Sequence, residues 1–433
     1  MRIPALLFVA TAAACATPSH LSIVPTASVP GLEAPALHEG VFELPDPNTP
    51  AACRTRREKI AAALDTGALV ISSGPEIEGR FGADPHFFWL TGVNIPDIIL
   101  ILEASEGVLV RERLFLPKKD ANFERWNGTR LAPGEASQTS TGIAETVDLA
   151  GWRAAAEELE LKDAQLFTYG ELASEDVQAS PATNLLWTAA SVRTPAELAS
   201  MQAAIDITQA GLADAFGIVQ PGAFEFEAEA AIEGGFRKRG AFGPSFPSIV
   251  GSGPNSCFLH YRSNSRRMQD GELVVMDVGA RYQGFAADVT RTIPVNGQFT
   301  ERQREVYQAV WDASIAGAAE LKPGSSIRAA HRAAAAVLDE RGFGQYFLHS
   351  VGHGLGLLVH DAPRGSVELE PGMVVTIEPG VYIAAEALGI RIENDWLITE
   401  DGARCLSTAV PSAPDELLEF LAKRRPKART GDL

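Results

Sequence analysis

Four acidic residues sit where a carboxylate is costly. Asp277 interrupts Glu272-Leu273-Val274-Val275-Met276, Glu378 interrupts Met373-Val374-Val375-Thr376-Ile377, Glu393 interrupts Gly389-Ile390-Arg391-Ile392, and Asp288 stands in Phe285-Ala286-Ala287-Asp288-Val289-Thr290. All are stretches of high strand propensity. An unpaired carboxylate taken out of water is strongly destabilising even after relaxation, so a buried acid is paired, protonated or metal-bound. Any one of the four could be an exposed strand-end residue or half of a surface salt bridge. Four together need a common countercharge. Arg281, Arg291 and Arg391 are too few if each also has its own neighbours, whereas two divalent cations cancel four negative charges. His353, in Val351-Gly352-His353-Gly354-Leu355-Gly356, is hemmed by glycines that permit close backbone approach. Alone it could be a loop or core histidine; beside four acids it reads as a ligand. One imidazole among carboxylate oxygens suits Mn²⁺, Co²⁺ or Zn²⁺ better than a thiolate-seeking metal.

Elements far apart in the chain must bring these residues together, and a repeat supplies the means. Thr194-Pro195-Ala196-Glu197 opens a helix with an N-cap Thr, an N1 Pro and an N3 Glu, and Pro221-Gly222 stops it. Thr300 with Gln303 opens a second boxed helix, ending at Pro323-Gly324, 102 positions after the first stop. Arg239-Gly240 and Arg341-Gly342, closing the next helix in each copy, are also 102 apart. His260 pairs with His360 at an offset of 100, Asp277 with Glu378 at 101, and Asp288 with Glu393 at 105. Each copy, a helix pair followed by strands, delivers one histidine and two acids. Packed about a pseudo-twofold axis, the two copies would converge on one shared site.

The chain has 433 residues, 46% hydrophobic and 21% charged, which excludes a mini-protein, a disordered chain and a coiled coil. With 37 Lys and Arg against 55 Asp and Glu, its net charge of −18 repels phosphate backbones; nucleic acid is not an expected partner. Arg2 precedes an apolar stretch from Ile3 to Ala16, the length of a signal h-region and short of a membrane span. Residues 1–17 are therefore read as an export signal. Ala12-Ala13-Ala14-Cys15 resembles a bacterial lipoprotein box, and an ordinary cleavage site nearby stays open. The expectation is an exported protein, periplasmic or lipid-anchored in the bacterial envelope, with no transmembrane span when mature. Residues 18–50, rich in Pro, Ala and Ser, read as a linker. Residues 51–189 read as an α/β domain, with a helix from Arg54 and strands at Gly67 to Ser73, Asp97 to Glu103 and Gly107 to Leu116. Residues 190–433 hold the repeat. Cys15, Cys53, Cys257 and Cys405 show no C-x-x-C spacing and argue for no disulfide framework.

The order Asp277, Asp288, His353, Glu378, Glu393 resembles the five dinuclear-metal ligands of the pita-bread metallopeptidases, in type and spacing. The settings Met276-Asp277-Val278-Gly279, Asp288-Val289-Thr290-Arg291-Thr292, His353-Gly354-Leu355-Gly356, Ile377-Glu378-Pro379-Gly380 and Arg391-Ile392-Glu393 look like its aminopeptidase P and prolidase branch. The resemblance is strong over 190–422 and weaker over 54–185, where it implies a creatinase-like N-terminal domain. It implies an α/β (α+β) architecture with a pita-bread catalytic domain. By that similarity Asp277 binds one metal, His353 and Glu378 the other, and Asp288 and Glu393 bridge both. A water or hydroxide between the ions would be the nucleophile and Glu378 the proton shuttle. His260 and His360 would stabilise the tetrahedral intermediate or hold the substrate carbonyl. His349 and Arg391 would line the proline side, with Tyr382 as a pocket wall or a plain core aromatic. Arg391, two residues before Glu393, would share its strand face and orient it.

The implied reaction is hydrolysis of the N-terminal Xaa-Pro bond of peptides by a two-metal enzyme, with Mn²⁺ the expected metal ahead of Co²⁺ or Zn²⁺. A prolidase restricted to Xaa-Pro dipeptides is the alternative within the family. A metal-free binding module or a creatinase-type hydrolase is the alternative outside it. Relatives carry a Trp near the position of Phe88 that reaches a neighbouring subunit; here Trp89 is shifted by one, which puts that contribution in doubt within an expected homo-oligomer.

Overall fold

The computed structural model describes residues 37, 40–42, 44–75, 82–160, 165–169 and 180–425. The expected export signal and Cys15 lie outside these residues, as does most of the expected linker. Among the described residues, no helix is long and apolar enough to cross a membrane.

The first helix, α1 (Pro50–Leu64), begins four residues before the expected Arg54. Thr49 caps it, its hydroxyl accepting from the Ala52 amide, and Pro50 occupies the first turn, where a missing N–H costs nothing. The linker expected to run to residue 50 is already anchored before that point. Asn48 donates to the Gln283 carbonyl at 3.1 Å, and Tyr282 donates to the Phe42 carbonyl at 3.1 Å.

After α1 come β1 (Gly67–Ser72), α2 (Pro85–Thr91), β2 (Ile99–Ser105), β3 (Val108–Leu116), α3 (Ala121–Asn127), α4 (Glu135–Thr141), β4 (Glu145–Asp148), α5 (Trp152–Glu160), β5 (Leu166–Tyr169), β6 (Ser180–Pro181) and α6 (Thr183–Ser191). The six strands form one sheet in the order β4-β3-β2-β1-β5-β6. Side chains alternate faces along a strand. Leu69 and Ile71 of β1 therefore enter one core with Ile60, Leu64, Phe87 and Leu90, while Ala68 and Val70 enter another with Ala155 and Leu159. The sheet is thus sandwiched between α1 with α2 and α5.

The second half opens with α7 (Pro195–Phe216) and α8 (Glu225–Lys238), then β7 (Gly243–Pro244), β8 (Ile249–Ser252), β9 (Leu273–Val278), β10 (Ala280–Tyr282), β11 (Phe285–Ala286) and β12 (Val289–Pro294). A second helix pair follows, α9 (Glu301–Ala319) and α10 (Ile327–Glu340), then β13 (Val374–Ile377), β14 (Gly380–Ile383), β15 (Leu388–Arg391), β16 (Asn394–Thr399), β17 (Gly402–Cys405) and α11 (Pro414–Arg424). Both expected capping boxes are present, Thr194 with Glu197 and Thr300 with Gln303. Arg239 and Arg341 are the C-cap residues of α8 and α10, as the repeat requires. Each helix pair is followed by a three-stranded antiparallel sheet, β12-β9-β8 in one copy and β13-β16-β17 in the other. The copies are stitched where β12 meets the β15–β16 corner: the Glu393 amide donates to the Thr290 carbonyl at 3.1 Å, and the Thr292 hydroxyl to the Arg391 carbonyl at 2.8 Å.

One buried carboxylate ties α1 and α2 to α7. Glu197 Oε1 accepts from the Trp89 indole at 2.6 Å and pairs with Arg56 at 3.0 Å, while Oε2 takes the Thr194 amide and hydroxyl at 2.8 and 2.9 Å. Trp89 is therefore a buried tie within the chain and not an aromatic reaching outward. Breaking a buried pair strands the other charge, so Glu197→Ala is expected to lower the unfolding free energy by about 3 kcal/mol. The urea unfolding midpoint measures it, and an unchanged midpoint would contradict the role.

Candidate metal centre

The acids were expected inside strands, and only Asp277 is: it lies in β9, opposite Thr290 of β12. Asp288 falls between β11 and β12, Glu378 directly after β13, and Glu393 directly before β16. Where a strand stops, its side chain is released from strict alternation, which lets three carboxylates turn toward the one on β9. His353 arrives on a loop laid along β13. Its carbonyl accepts the Thr376 amide at 2.8 Å, and the Glu378 amide donates to the Val351 carbonyl at 2.6 Å. A Cβ at Gly352 would collide with the Thr376 carbonyl oxygen, so this close approach requires glycine.

All five residues line a cavity of about 960 Å³, together with His260, His349, His360 and Arg391. Ligand atoms of Asp288, His353 and Glu393 lie within 4.8 Å of one another. His353 Nε2 stands 3.6 Å from Asp288 Oδ2 and 3.5 Å from Glu378 Oε1. Asp277 Oδ1, Asp288 Oδ1 and Glu393 Oε1 are buried without a hydrogen-bond partner.

The histidine decides what fills the gap. Burial, with His360 alongside, holds His353 down to about 4, so it is neutral at pH 7. Nδ1 lies 3.1 Å from the Gly354 carbonyl, which can only accept, so the single proton is placed there. Nε2 then aims a lone pair at two carboxylates. A lone pair facing carboxyl oxygens 3.5 and 3.6 Å away, with buried oxygens left unpartnered, fits a cation-binding set and not a hydrogen-bonded one.

Arginines do not replace the cations. Arg291 donates to the carbonyls of Thr290, Glu393, Ser407, Val410 and Pro411 and to Asn394 Oδ1, and Arg281 to the carbonyls of Gly284 and Leu357. Arg391 reaches an acid, and it is not the one expected. Its Nη2 pairs with Asp277 Oδ2 at 2.6 Å, while Glu393 Oε2 accepts from the Thr290 hydroxyl at 2.7 Å. β15 ends at Arg391, so the alternation that would have put Arg391 and Glu393 on one face stops between them.

Arg391 Nη1 also donates to the Tyr382 hydroxyl at 2.8 Å, and that hydroxyl lies 2.8 Å from His349 Nε2. His349 Nδ1 sits 2.8 Å from the Ser350 carbonyl, so the Tyr382 hydroxyl donates to Nε2. Tyr382 is thus a buried link behind the cavity lining, joining His349 to Arg391. His360 stacks edge-on to His353 with ring centroids 4.2 Å apart, and burial followed by His260 lowers its pKa.

The sequence reading missed three positions. Asp395, fully buried, takes the Asp288 amide at 3.4 Å, and its Oδ1 has no partner. Its place two residues past Glu393, on alternating β16, was the available signal. Arg193 and Asp361 form a fully buried pair at 3.0 Å, and Asp361 also accepts the amides of Leu357, Leu358 and Ala362, fastening the loop that carries His360.

Burial first, then mutual repulsion, drives Asp288 and Glu393 well above the ordinary carboxylate range; burial, with Asp277, lifts Glu378 to about 8. Without metal the folded chain therefore holds protons that the unfolded chain, with carboxylates near about 4.3, has released. Stability must fall as pH rises through Glu378's value. Chelator-treated protein is expected to show a higher thermal midpoint at pH 7 than at pH 9, a window above the ordinary histidine value, with Mn²⁺ narrowing the difference. A midpoint that rises over that window would contradict the repulsion.

Residues 199–400 match metallopeptidase family M24, and residues 53–166 match the aminopeptidase P N-terminal domain. The chain is 32% identical over 407 residues to the Xaa-Pro aminopeptidase of Haemophilus influenzae, covering 82% of this chain and 94% of that one. It is 38% identical over 220 residues to the Xaa-Pro dipeptidase of Pyrococcus furiosus, covering 50% and 63%. The solved aminopeptidase P of Escherichia coli with the inhibitor Pro-Leu superposes with a TM-score of 0.78 at 29% identity, over 87% of this chain and 99% of that one. The pita-bread domain behind its α/β N-terminal domain has its counterparts there: the chain belongs to the aminopeptidase P family of M24 metallopeptidases.

Proposed function

We propose that this chain is a divalent-metal aminopeptidase that removes the N-terminal residue from peptides with proline in second place. The observation that carries the reading is the neutral His353, its lone pair aimed at Asp288 and Glu378 in a cavity where buried oxygens of Asp277, Asp288 and Glu393 have no partners. Relatives named Xaa-Pro aminopeptidase, and a neighbour solved with Pro-Leu, support the substrate class. Asp277 would hold one cation, His353 and Glu378 the other, with Asp288 and Glu393 shared. One imidazole among carboxylates favours Mn²⁺, then Co²⁺ or Zn²⁺. When bound, the pair supplies Lewis acidity and lowers the pKa of water toward neutrality.

The chain's own residues do the rest. An Xaa-Pro bond is a tertiary amide, so its nitrogen carries no proton and must gain one to leave as a secondary amine. Glu378, lining the cavity beside His353, can accept the proton that the attacking water sheds and return it to that nitrogen. His260 and His360, exposed at the cavity wall, can donate to the carbonyl oxygen as it gains charge. The Arg391–Tyr382–His349 chain holds one wall rigid for the proline ring. Acids deep in the cavity favour a substrate's free amine, which makes the enzyme an exopeptidase.

Dipeptide-only cleavage is the second reading, favoured by the 38% identity to the Pyrococcus furiosus dipeptidase; a ladder of Xaa-Pro peptides of increasing length separates the two. Export, with Cys15 acylated or an ordinary signal removed, rests on Arg2 and the apolar run to Ala16. Self-association is part of the reading too, with the exposed Val108, Val110 and Trp126 as apolar surface for a second copy.

The test is hydrolysis of an Xaa-Pro-Xaa peptide after chelation and again after Mn²⁺ is restored. Wild type is expected to recover, while Asp288→Ala stays inactive with unchanged circular dichroism. His260→Ala and His360→Ala are each expected to lower kcat by about 10²- to 10³-fold. Full activity of Asp288→Ala would end the proposal.

A further inference from the structure

His260 reaches the cavity on the connection from β8 to β9, where only a short 3₁₀ turn at Gly253–Cys257 gives regular structure. Such a segment would not by itself hold an imidazole to the accuracy that hydrogen bonding to a reacting carbonyl requires. What fastens it is a carboxylate outside the metal set. Glu225, the first residue of α8, is 0% exposed. Its Oε1 accepts the Ser252 amide at 2.7 Å, the Ser252 hydroxyl at 2.8 Å and the Asn255 side-chain amide at 3.2 Å. Its Oε2 accepts the Tyr261 hydroxyl at 2.9 Å and the Arg266 amide at 2.8 Å. The Glu225 backbone amide adds a bond to the Arg266 carbonyl at 3.0 Å. His260 lies between the two clamped limbs, next to the tethered Tyr261.

We propose that Glu225 is the positioning residue of His260. It touches neither substrate nor metal ligand and acts on the reaction through that imidazole, so the inference rests on the role given to His260 above. The charge matters as well as the shape. An ionised carboxylate is acceptor-only at both oxygens, and here both face donors. Glutamine keeps the shape but must turn an NH₂ toward either the Ser252 amide or the Arg266 amide. With three bonds on the Ser252 side, the mismatch falls on the limb that carries Tyr261 and Arg266. A clamp that served only the fold would weaken the enzyme equally whether or not His260 were present; a clamp acting through His260 would not.

The test is a pair of double-mutant cycles on the full-length, Mn²⁺-loaded chain, reading kcat and KM for an Xaa-Pro-Xaa peptide. Glu225→Gln is expected to lower kcat/KM on the order of tenfold to a hundredfold in the presence of His260. In the His260→Ala background the same change is expected to stay within about twofold. Tyr261→Phe, which removes a single hydroxyl, should repeat the pattern with a smaller loss, and it decides the matter if Glu225→Gln does not fold. Equal losses in both backgrounds overturn the positioning role alone. Wild-type activity of His260→Ala overturns the role of His260 itself, and the inference with it.

Discussion

Four carboxylates drawn into one buried cavity repel each other, and that repulsion is the constraint from which the rest of the structure follows. Arg391 relieves one of them, Asp277. The Thr290 hydroxyl donates to Glu393, yet buried oxygens on Asp277, Asp288 and Glu393 stay unpartnered. A fold selected for stability alone would replace such a cluster with apolar side chains, because desolvating unpaired charge outweighs what packing returns. The acids are tolerable because cations can take up the negative charge. That links binding, folding and proton release in one equilibrium.

The scaffold brings the acids together without breaking its own strands. Two copies of a helix pair and an antiparallel sheet meet where β12 passes the β15–β16 corner, and three of the four acids lie just beyond strand ends at that meeting. Backbone ladders therefore stay intact while side chains converge from residues 277 to 393. Around this centre, buried carboxylates fasten the histidine loops. Glu225 holds the loop of His260, and Asp361 with Arg193 holds the loop of His360. Glu197 does the same on a larger scale by joining α1 and α2 to α7.

Much of this was legible in the sequence because it depends on local chemistry. Thr194 with Glu197 and Thr300 with Gln303 marked helix starts that the structure shows as complete capping boxes. Acids amid Val and Ile, and a histidine among glycines, marked the cavity residues because each violates the pattern of its surroundings. The same logic should have placed the start of α1 at Thr49-Pro50, a cap followed by proline that the linker-like composition masked. What depended on where a strand stops was not legible. Arg391 was assigned to Glu393 by period-two spacing, yet β15 ends before Glu393 and the guanidinium turns to Asp277. Glu225 and Asp361 gave no signal either, since an acid at a helix start or in a loop looks like an ordinary solvated residue until its donors arrive from elsewhere in the chain.

Calorimetric titration of Mn²⁺ into the metal-stripped chain, repeated at pH 7 in buffers of different ionisation enthalpy, tests the central electrostatic claim most directly. Acids that repel one another in the empty cavity hold protons which the cations must displace. Saturation at two ions per chain, with net proton release on binding, is the predicted result. Binding without proton release, or no saturable binding at all, would contradict it, since the carboxylates would then already be satisfied without metal.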